Sequence, residues 1–153
     1  MKYCNYPAVI ITLVFLLTIG CQEVHQQKAL ASPLTGTWRL LTGTIIQGKD
    51  TTVTNYTINQ ELIKIITDTH FAFLRHDLGK DSTTIFVSGG GRCKIDDQHY
   101  TEHLDFCNYR AWENNTFEFE YKIIGDTLTT IGTEKVEALG INQLNIEQYA
   151  RVK

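Results

Sequence analysis

Two charged residues, Arg75 and Glu102, stand out because a period-two pattern places each of them on an otherwise apolar, aromatic strand face. Alternate residues of a β-strand share a face. The face of Arg75 holds Phe71 and Phe73, and the face of Glu102 holds Tyr100, Leu104 and Phe106. Because an unpaired buried charge is costly, we expect the two to pair with each other or with a tyrosine and so stabilise the interior. The alternative is that Arg75 binds a ligand carboxylate at the floor of an apolar pocket.

A third aromatic face lies on the segment 116–123, where acidic and basic residues alternate with apolar ones. If the charged residues point to solvent, Phe117, Phe119, Tyr121 and Ile123 point inward. The three faces together define a candidate set of ligand-binding residues: Phe71, Phe73, Arg75, Tyr100, Glu102, Phe117, Phe119 and Tyr121.

Patterns typical of enzymes and metal sites do not occur in the mature chain. No serine lies in a Gly-x-Ser-x-Gly motif, and nothing in the sequence orients Cys107 as a nucleophile. His99 and His103 would stand ~13 Å apart on one strand face, too far to share a metal ion. We therefore predict that the protein is not an enzyme and uses no metal or cofactor.

Cys93 and Cys107 are the cysteines that remain after the N-terminal segment, and they form no Cys-x-x-Cys pair. They are either buried small hydrophobic residues or a disulfide of an oxidising compartment. A turn at residues 96–97 would bring residue 93 near residue 100 rather than residue 107, so a simple cross-strand disulfide is not expected.

The N-terminus has the organisation of an export signal. Lys2 precedes an apolar stretch, 8–20, of 13 residues, whereas a membrane-spanning helix needs about 20. The stretch ends in Leu-Thr-Ile-Gly-Cys at 17–21, which resembles the bacterial lipobox, although Thr18 stands where the lipobox has leucine. The resemblance implies cleavage before Cys21 and lipidation of that residue, so we expect residues 1–20 to be a signal peptide. Residues 21–33 would then be the lipidated cysteine and a flexible tether.

Charge and length restrict the mature part further. The chain has 153 residues and a formal charge of −3, and loss of residues 1–20, which hold one lysine and no acid, leaves −4. This length allows one domain, 34–153, and the charge disfavours nucleic-acid binding. We expect a monomer, held on the periplasmic or surface face of a cell-envelope membrane through its lipid.

Eight segments of period-two alternation, separated mostly by short turns, predict an all-β domain. Eight antiparallel strands are the number that closes a small up-and-down barrel. The glycine triplet 89–91 is typical of a bend or bulge, since no helix follows it as a phosphate loop would require. The predicted strands are 36–46, 61–67, 70–76, 83–95, 98–106, 116–124, 127–133 and 142–153.

Closure of such a barrel makes the first and last strands neighbours. Trp38 should then cap the barrel floor, with Arg151 lying across its indole ring. Trp38 and Arg151 would be stability residues, and any ligand would enter at the opposite end.

Several segments resemble the lipocalin-like domain of exported bacterial proteins, over residues 34–153. They are the Gly-x-Trp at 36–38, KIITDTHF at 64–71, GGGR at 89–92 with YTE at 100–102, FEYKIIGDTL at 119–128, and YARVK at 149–153. The resemblance implies a calycin-type barrel and, by analogy, binding of a small apolar or amphipathic molecule. The alternative is a structural or protein-interaction barrel of the cell envelope, with a filled core and no small ligand.

Overall fold

The computed structural model describes residues 31–79 and 85–153, so the predicted signal peptide, Cys21 and most of the tether lie outside the described residues. The described part is all-β, with two single turns of 3-10 helix at Arg110–Trp112 and Glu137–Leu139. Its strands are β1 Gly36–Gln47, β2 Asp50–Asn55, β3 Gln60–Ile66, β4 His70–Asp77, β5 Phe86–Asp96, β6 His99–Cys107, β7 Thr116–Ile124, β8 Thr127–Val136 and β9 Ile141–Arg151.

The strands close into an antiparallel barrel through β1, which pairs with β3 on one side and with β9 on the other. Nine strands make an eight-stranded barrel because β2 and β3 share one position: β3 pairs with the first residues of β1 and β2 with the last. The predicted eight-stranded up-and-down barrel is therefore confirmed.

Strand β2 is absent from the sequence prediction. Its six residues, Asp50–Asn55, are nearly all exposed and include one apolar side chain, Val53. A strand without a buried face shows no alternation of apolar and polar residues in the sequence. Strand β2 is held in place by its hairpin with β1, and the turn of this hairpin contains Gly48 at φ 62°.

The glycine triplet forms the predicted bulge. The register of β5 against β6 shifts between Gly90 and Gly91, which leaves Asp105 of β6 as the extra residue. A Cβ on Gly91 would lie 2.1 Å from the carbonyl oxygen of His103, so this close approach requires glycine. The extra residue reverses the alternation of β6 beyond it. Phe106, predicted to share the inward face of Glu102, is therefore 72% exposed, and Cys107 points inward instead.

Fully buried apolar side chains close the end of the barrel where β1 begins, which we call the floor. Trp38 is fully buried there, and its indole nitrogen donates to the carbonyl oxygen of Leu34 at 2.8 Å. Leu34 and Leu128 are equally buried. The other end, where β6 joins β7 and β8 joins β9, is the mouth.

Candidate binding cavity and its internal ion pair

The predicted pairing of Arg75 with Glu102 is wrong. Glu102 pairs with Lys64 of β3, whose Nζ lies 2.8 Å from the Glu102 Oε1, and both side chains are more than nine-tenths buried. Arg75 lies nearer the mouth, is 29% exposed, and reaches Asp77 of its own strand at 4.0 Å. Its guanidinium also lies 5.6 Å from the ring centre of Tyr56. The signal for Lys64 was present in the sequence, because period two places it on the inward face of β3 between Leu62 and Ile66.

The Lys64 ammonium sits at the centre of the interior. Beyond Glu102, it lies 3.7 Å from the Oε2 of Glu147. Burial alone would lower the pKa of Lys64, but the adjacent Glu102 and Glu147 reverse this effect and raise it. The lysine is therefore charged at neutral pH. The ring centres of Phe71, Phe119 and Tyr149 lie 5.9, 5.8 and 5.8 Å from the ammonium.

Two further glutamates complete the polar interior. Glu147 accepts a hydrogen bond from the hydroxyl of Tyr149. Glu134 of β8 accepts one from the Gln143 amide at 2.8 Å and one from the Asn145 amide at 2.9 Å. Burial raises the pKa of Glu134, and these two hydrogen bonds oppose that rise. The interior thus carries one lysine and three glutamates among aromatic rings.

A cavity of about 140 Å³ remains between these groups in the mouth half of the barrel. Its charged lining is Lys64, Glu102, Glu134 and Glu147. The rest of the lining is apolar or aromatic: Leu62, Phe73, Leu104, Trp112, Phe117, Phe119 and Tyr149.

Trp112 covers the cavity from the connection between β6 and β7. Its ring centre lies 6.0 Å from that of Phe117, at an interplanar angle of 52°. The connection is held by side-chain hydrogen bonds: Glu113 accepts from the backbone N–H of Cys107 at 2.9 Å, and the Asn115 amide donates to the Trp112 carbonyl at 2.9 Å. These hydrogen bonds hold the backbone of the connection that carries Trp112.

Half of the predicted ligand-binding residues line this cavity, namely Phe73, Glu102, Phe117 and Phe119. Phe71 and Tyr100 are buried but lie in the core outside its lining. Tyr121 is half-buried, and its hydroxyl donates to the Asp97 carbonyl at the floor end. Sequence reasoning missed Lys64, Trp112, Glu134 and Glu147. Glu134 and Glu147 lie on strands whose inward residues are otherwise mixed in polarity, so no apolar face marked them.

The predicted contact at the floor is present. Trp38 and Arg151 are register partners on β1 and β9, and the Arg151 Cζ lies 4.0 Å from the centre of the Trp38 ring. The same guanidinium donates to the carbonyl oxygens of Thr35 at 3.1 Å and Pro33 at 2.6 Å. These contacts connect the chain entering the barrel to the last strand and close the floor.

Neither cysteine of the barrel forms a disulfide: Cys93 and Cys107 are free thiols. Burial raises the pKa of the Cys93 thiol to about 11. Within residues 31–79 and 85–153, no three His, Cys, Asp or Glu side chains converge as metal ligands. In the same part of the chain, no helix has the length and apolarity needed to cross a membrane.

No protein-family model matches this chain, and comparison with curated proteins finds no match. Three chains of solved structures match it. One is the crystal structure of an uncharacterized protein from Bacteroides eggerthii DSM 20697 at 2.60 Å resolution, with a TM-score of 0.42 and 9% sequence identity over 77% of this chain and 98% of that chain. What the protein does has therefore to be inferred from its own interior.

Proposed function

We propose that this protein is an exported lipoprotein, anchored through Cys21, whose lipocalin-like barrel binds one small amphipathic molecule beneath Trp112. The observation that carries the proposal is the composition of the cavity, where aromatic rings and charged side chains line one buried space. Fully buried side chains are mostly apolar, and charged ones are rare among them. Small-molecule sites instead combine an apolar wall with a few polar groups that fix orientation.

The size of the cavity restricts the ligand. Its volume of about 140 Å³ corresponds to roughly five water molecules at ~30 Å³ each. Sites for drug-sized ligands begin at about 300 Å³. The molecule that we propose is therefore much smaller than a fatty acid or a porphyrin, or it leaves part of itself outside the mouth.

The mouth is the route of entry. Trp38, Leu34 and the Arg151 guanidinium close the floor, whereas the cavity lies directly under the connection that carries Trp112. Displacement of one indole ring would admit a ligand without breaking the pairing of any strand.

The small volume favours a second candidate function, a structural or interaction barrel of the cell envelope without a ligand. Eight strands can be filled entirely by their own side chains. In that case the cavity holds only water, hydrogen-bonded to the glutamates.

Fluorine NMR distinguishes the two candidates. The chain has two tryptophans, so 5-fluorotryptophan labelling of the lipidated protein in nanodiscs gives two resonances, which Trp112→Phe assigns. The probes are 3,3-dimethylbutan-1-ol, choline and 3,3-dimethylbutyrate, which have similar shapes and differ in charge. We expect at least one of them to shift the Trp112 resonance saturably, while the Trp38 resonance at the floor stays in place.

The matched control is Leu62→Phe, which adds bulk to another residue of the cavity lining and should weaken the shift while leaving the Trp38 resonance unchanged. If none of the three probes, added up to its solubility limit, shifts the Trp112 resonance, the proposed binding function is wrong and the second candidate, a barrel without a ligand, is retained.

A further inference from the structure

We propose that the molecule bound in this cavity is a cation, an organic ammonium compound small enough to seat its charged head group between Glu134, Glu147 and Trp112. This inference rests on the proposed function and adds the chemical class of the ligand. It follows from the charges of the lining, the aromatic groups beside them and the space that they enclose.

The lining carries more negative than positive groups. Lys64 is the single cation among the lining residues, and its hydrogen bond goes to Glu102 at 2.8 Å. The Oε2 of Glu147 lies 3.7 Å from that ammonium, beyond hydrogen-bond distance, and accepts a hydrogen bond from the Tyr149 hydroxyl. In the part of the chain that the structure describes, Glu134 has no Lys or Arg nitrogen within 4.0 Å. Its hydrogen bonds come from the neutral amides of Gln143 and Asn145. One ammonium is therefore shared between Glu102 and Glu147, Glu134 has no cation of its own, and the lining carries more carboxylates than it can neutralise.

An anionic ligand would add a third unbalanced negative charge in surroundings of low dielectric constant, where repulsion is strong. A neutral ligand would displace water and leave this excess of negative charge uncompensated, at the cost of desolvating the carboxylates. A cation would offset their charge directly. Charge therefore selects against anions most strongly and in favour of cations.

The aromatic groups of the lining reinforce this selection. Trp112, Phe117 and Phe73 line the cavity together with the carboxylates. The face of an aromatic ring attracts a cation, and tryptophan attracts it most strongly. Aromatic rings combined with carboxylates are the arrangement that recognises alkylammonium groups, whose methyl surface also benefits from apolar contact.

The geometry disfavours a metal ion as this cation. Among the described residues, no three His, Cys, Asp or Glu side chains converge closely enough to hold a metal ion. A space of about 140 Å³ is also too wide for a bare ion.

The same three probes test the inference separately from the proposed function. Choline, 3,3-dimethylbutan-1-ol and 3,3-dimethylbutyrate are a cation, a neutral compound and an anion of similar shape. We expect choline to bind about tenfold or more tighter than the neutral alcohol, and the anion to bind most weakly. Binding of the alcohol or the anion as tight as that of choline would overturn the cationic class and leave the binding function standing. The absence of binding by all three would overturn both.

Substitutions test whether the preference for a cation arises from the glutamates of the cavity. Glu134→Gln and Glu147→Gln should each weaken choline binding by about tenfold and leave binding of the neutral alcohol within about twofold. Glu137→Gln is the control, because Glu137 is exposed in the turn that follows β8. A changed Trp38 resonance would show that a variant has failed to fold. If this happens to one of the two variants, choline binding by the other variant still tests the inference. Unchanged choline affinity in a folded variant would overturn the inference.

Discussion

Lys64 and Glu102 meet across the inside of the barrel, with 2.8 Å between the Lys64 Nζ and the Glu102 Oε1. Their strands, β3 and β6, are separated in the sheet by β4 and β5. The ion pair therefore spans the interior and joins opposite walls of the barrel. Since both side chains are more than nine-tenths buried, neither can recover its hydration if the other is removed.

Breaking this pair should destabilise the fold strongly. We expect Glu102→Leu or Lys64→Met alone to lower the free energy of unfolding by about 3–5 kcal/mol, because each leaves a buried charge without its partner. The double variant should lose less than either single variant, since both members of the close pair are gone and only the longer ion pair of Lys64 with Glu147 is lost in addition. Urea unfolding followed by circular dichroism measures all three.

Arg75→Ala is the matched control for that experiment. Arg75 is partly exposed and lies 4.0 Å from Asp77, so its removal should cost no more than about 1 kcal/mol. A loss from Arg75→Ala as large as that from Lys64→Met would contradict the assignment of the buried pair.

Glu134 should make stability depend on pH. Burial raises the pKa of its carboxyl above the ordinary value of 4.5. A raised folded pKa means that the folded state holds the proton more tightly than the unfolded state. The contribution of Glu134 is thus complete below pH 4.5 and declines as pH rises through the folded-state pKa. Glu134→Gln should remove this decline and flatten the stability profile at pH values above 4.5. An identical slope in the two proteins would refute the prediction.

The anchor prediction concerns residues outside the described part of the chain. Because the apolar stretch before Cys21 has 13 residues, fewer than the about 20 that span a bilayer, the lipid should hold the protein. We expect Cys21→Ser to move it from the membrane fraction to the soluble exported fraction. Cys4→Ser, a thiol change within the predicted signal peptide, should leave the distribution unchanged. Membrane association that survives Cys21→Ser would make the apolar segment itself the anchor.

Strand alternation and turn spacing were sufficient to predict the barrel, its closure and the contact of Trp38 with Arg151. These three predictions rest on patterns local to one strand, or on the rule that the first and last strands of a closed barrel are neighbours. Alternation also placed Glu102 and Phe117 inward, where the structure has them.

The same pattern could not give the partner of Glu102. Alternation states which face a residue occupies but not which strands face each other across the interior, and Arg75 and Lys64 were both compatible with it. Phe106 was misplaced because the bulge at Asp105 depends on how closely Gly91 approaches β6, which is a tertiary property. The cavity was predicted only in part, because Glu134 and Glu147 come from β8 and β9, whose inward positions are not uniformly apolar.

The floor contact should contribute measurably to stability. In Arg151→Ala the indole of Trp38 loses a guanidinium 4.0 Å from its ring centre, and two carbonyl oxygens, those of Pro33 and Thr35, lose their donors. The cation–π contact contributes about 0.5–2 kcal/mol and hydrogen bonds to a charged group about 1.5–3 kcal/mol. Because Arg151 is only partly buried, we expect a total loss of about 2–3 kcal/mol in urea unfolding. Arg151→Lys should recover less than half of this loss, since an ammonium cannot lie flat on the ring while reaching both carbonyls.

Arg39→Ala on β1 is the control. The Arg39 side chain is 45% exposed and pairs with Glu61 at 3.3 Å, so the loss of stability should be about 0.5 kcal/mol. Equal losses from Arg151→Ala and Arg39→Ala would show that the Arg151 contact does not stabilise the barrel floor.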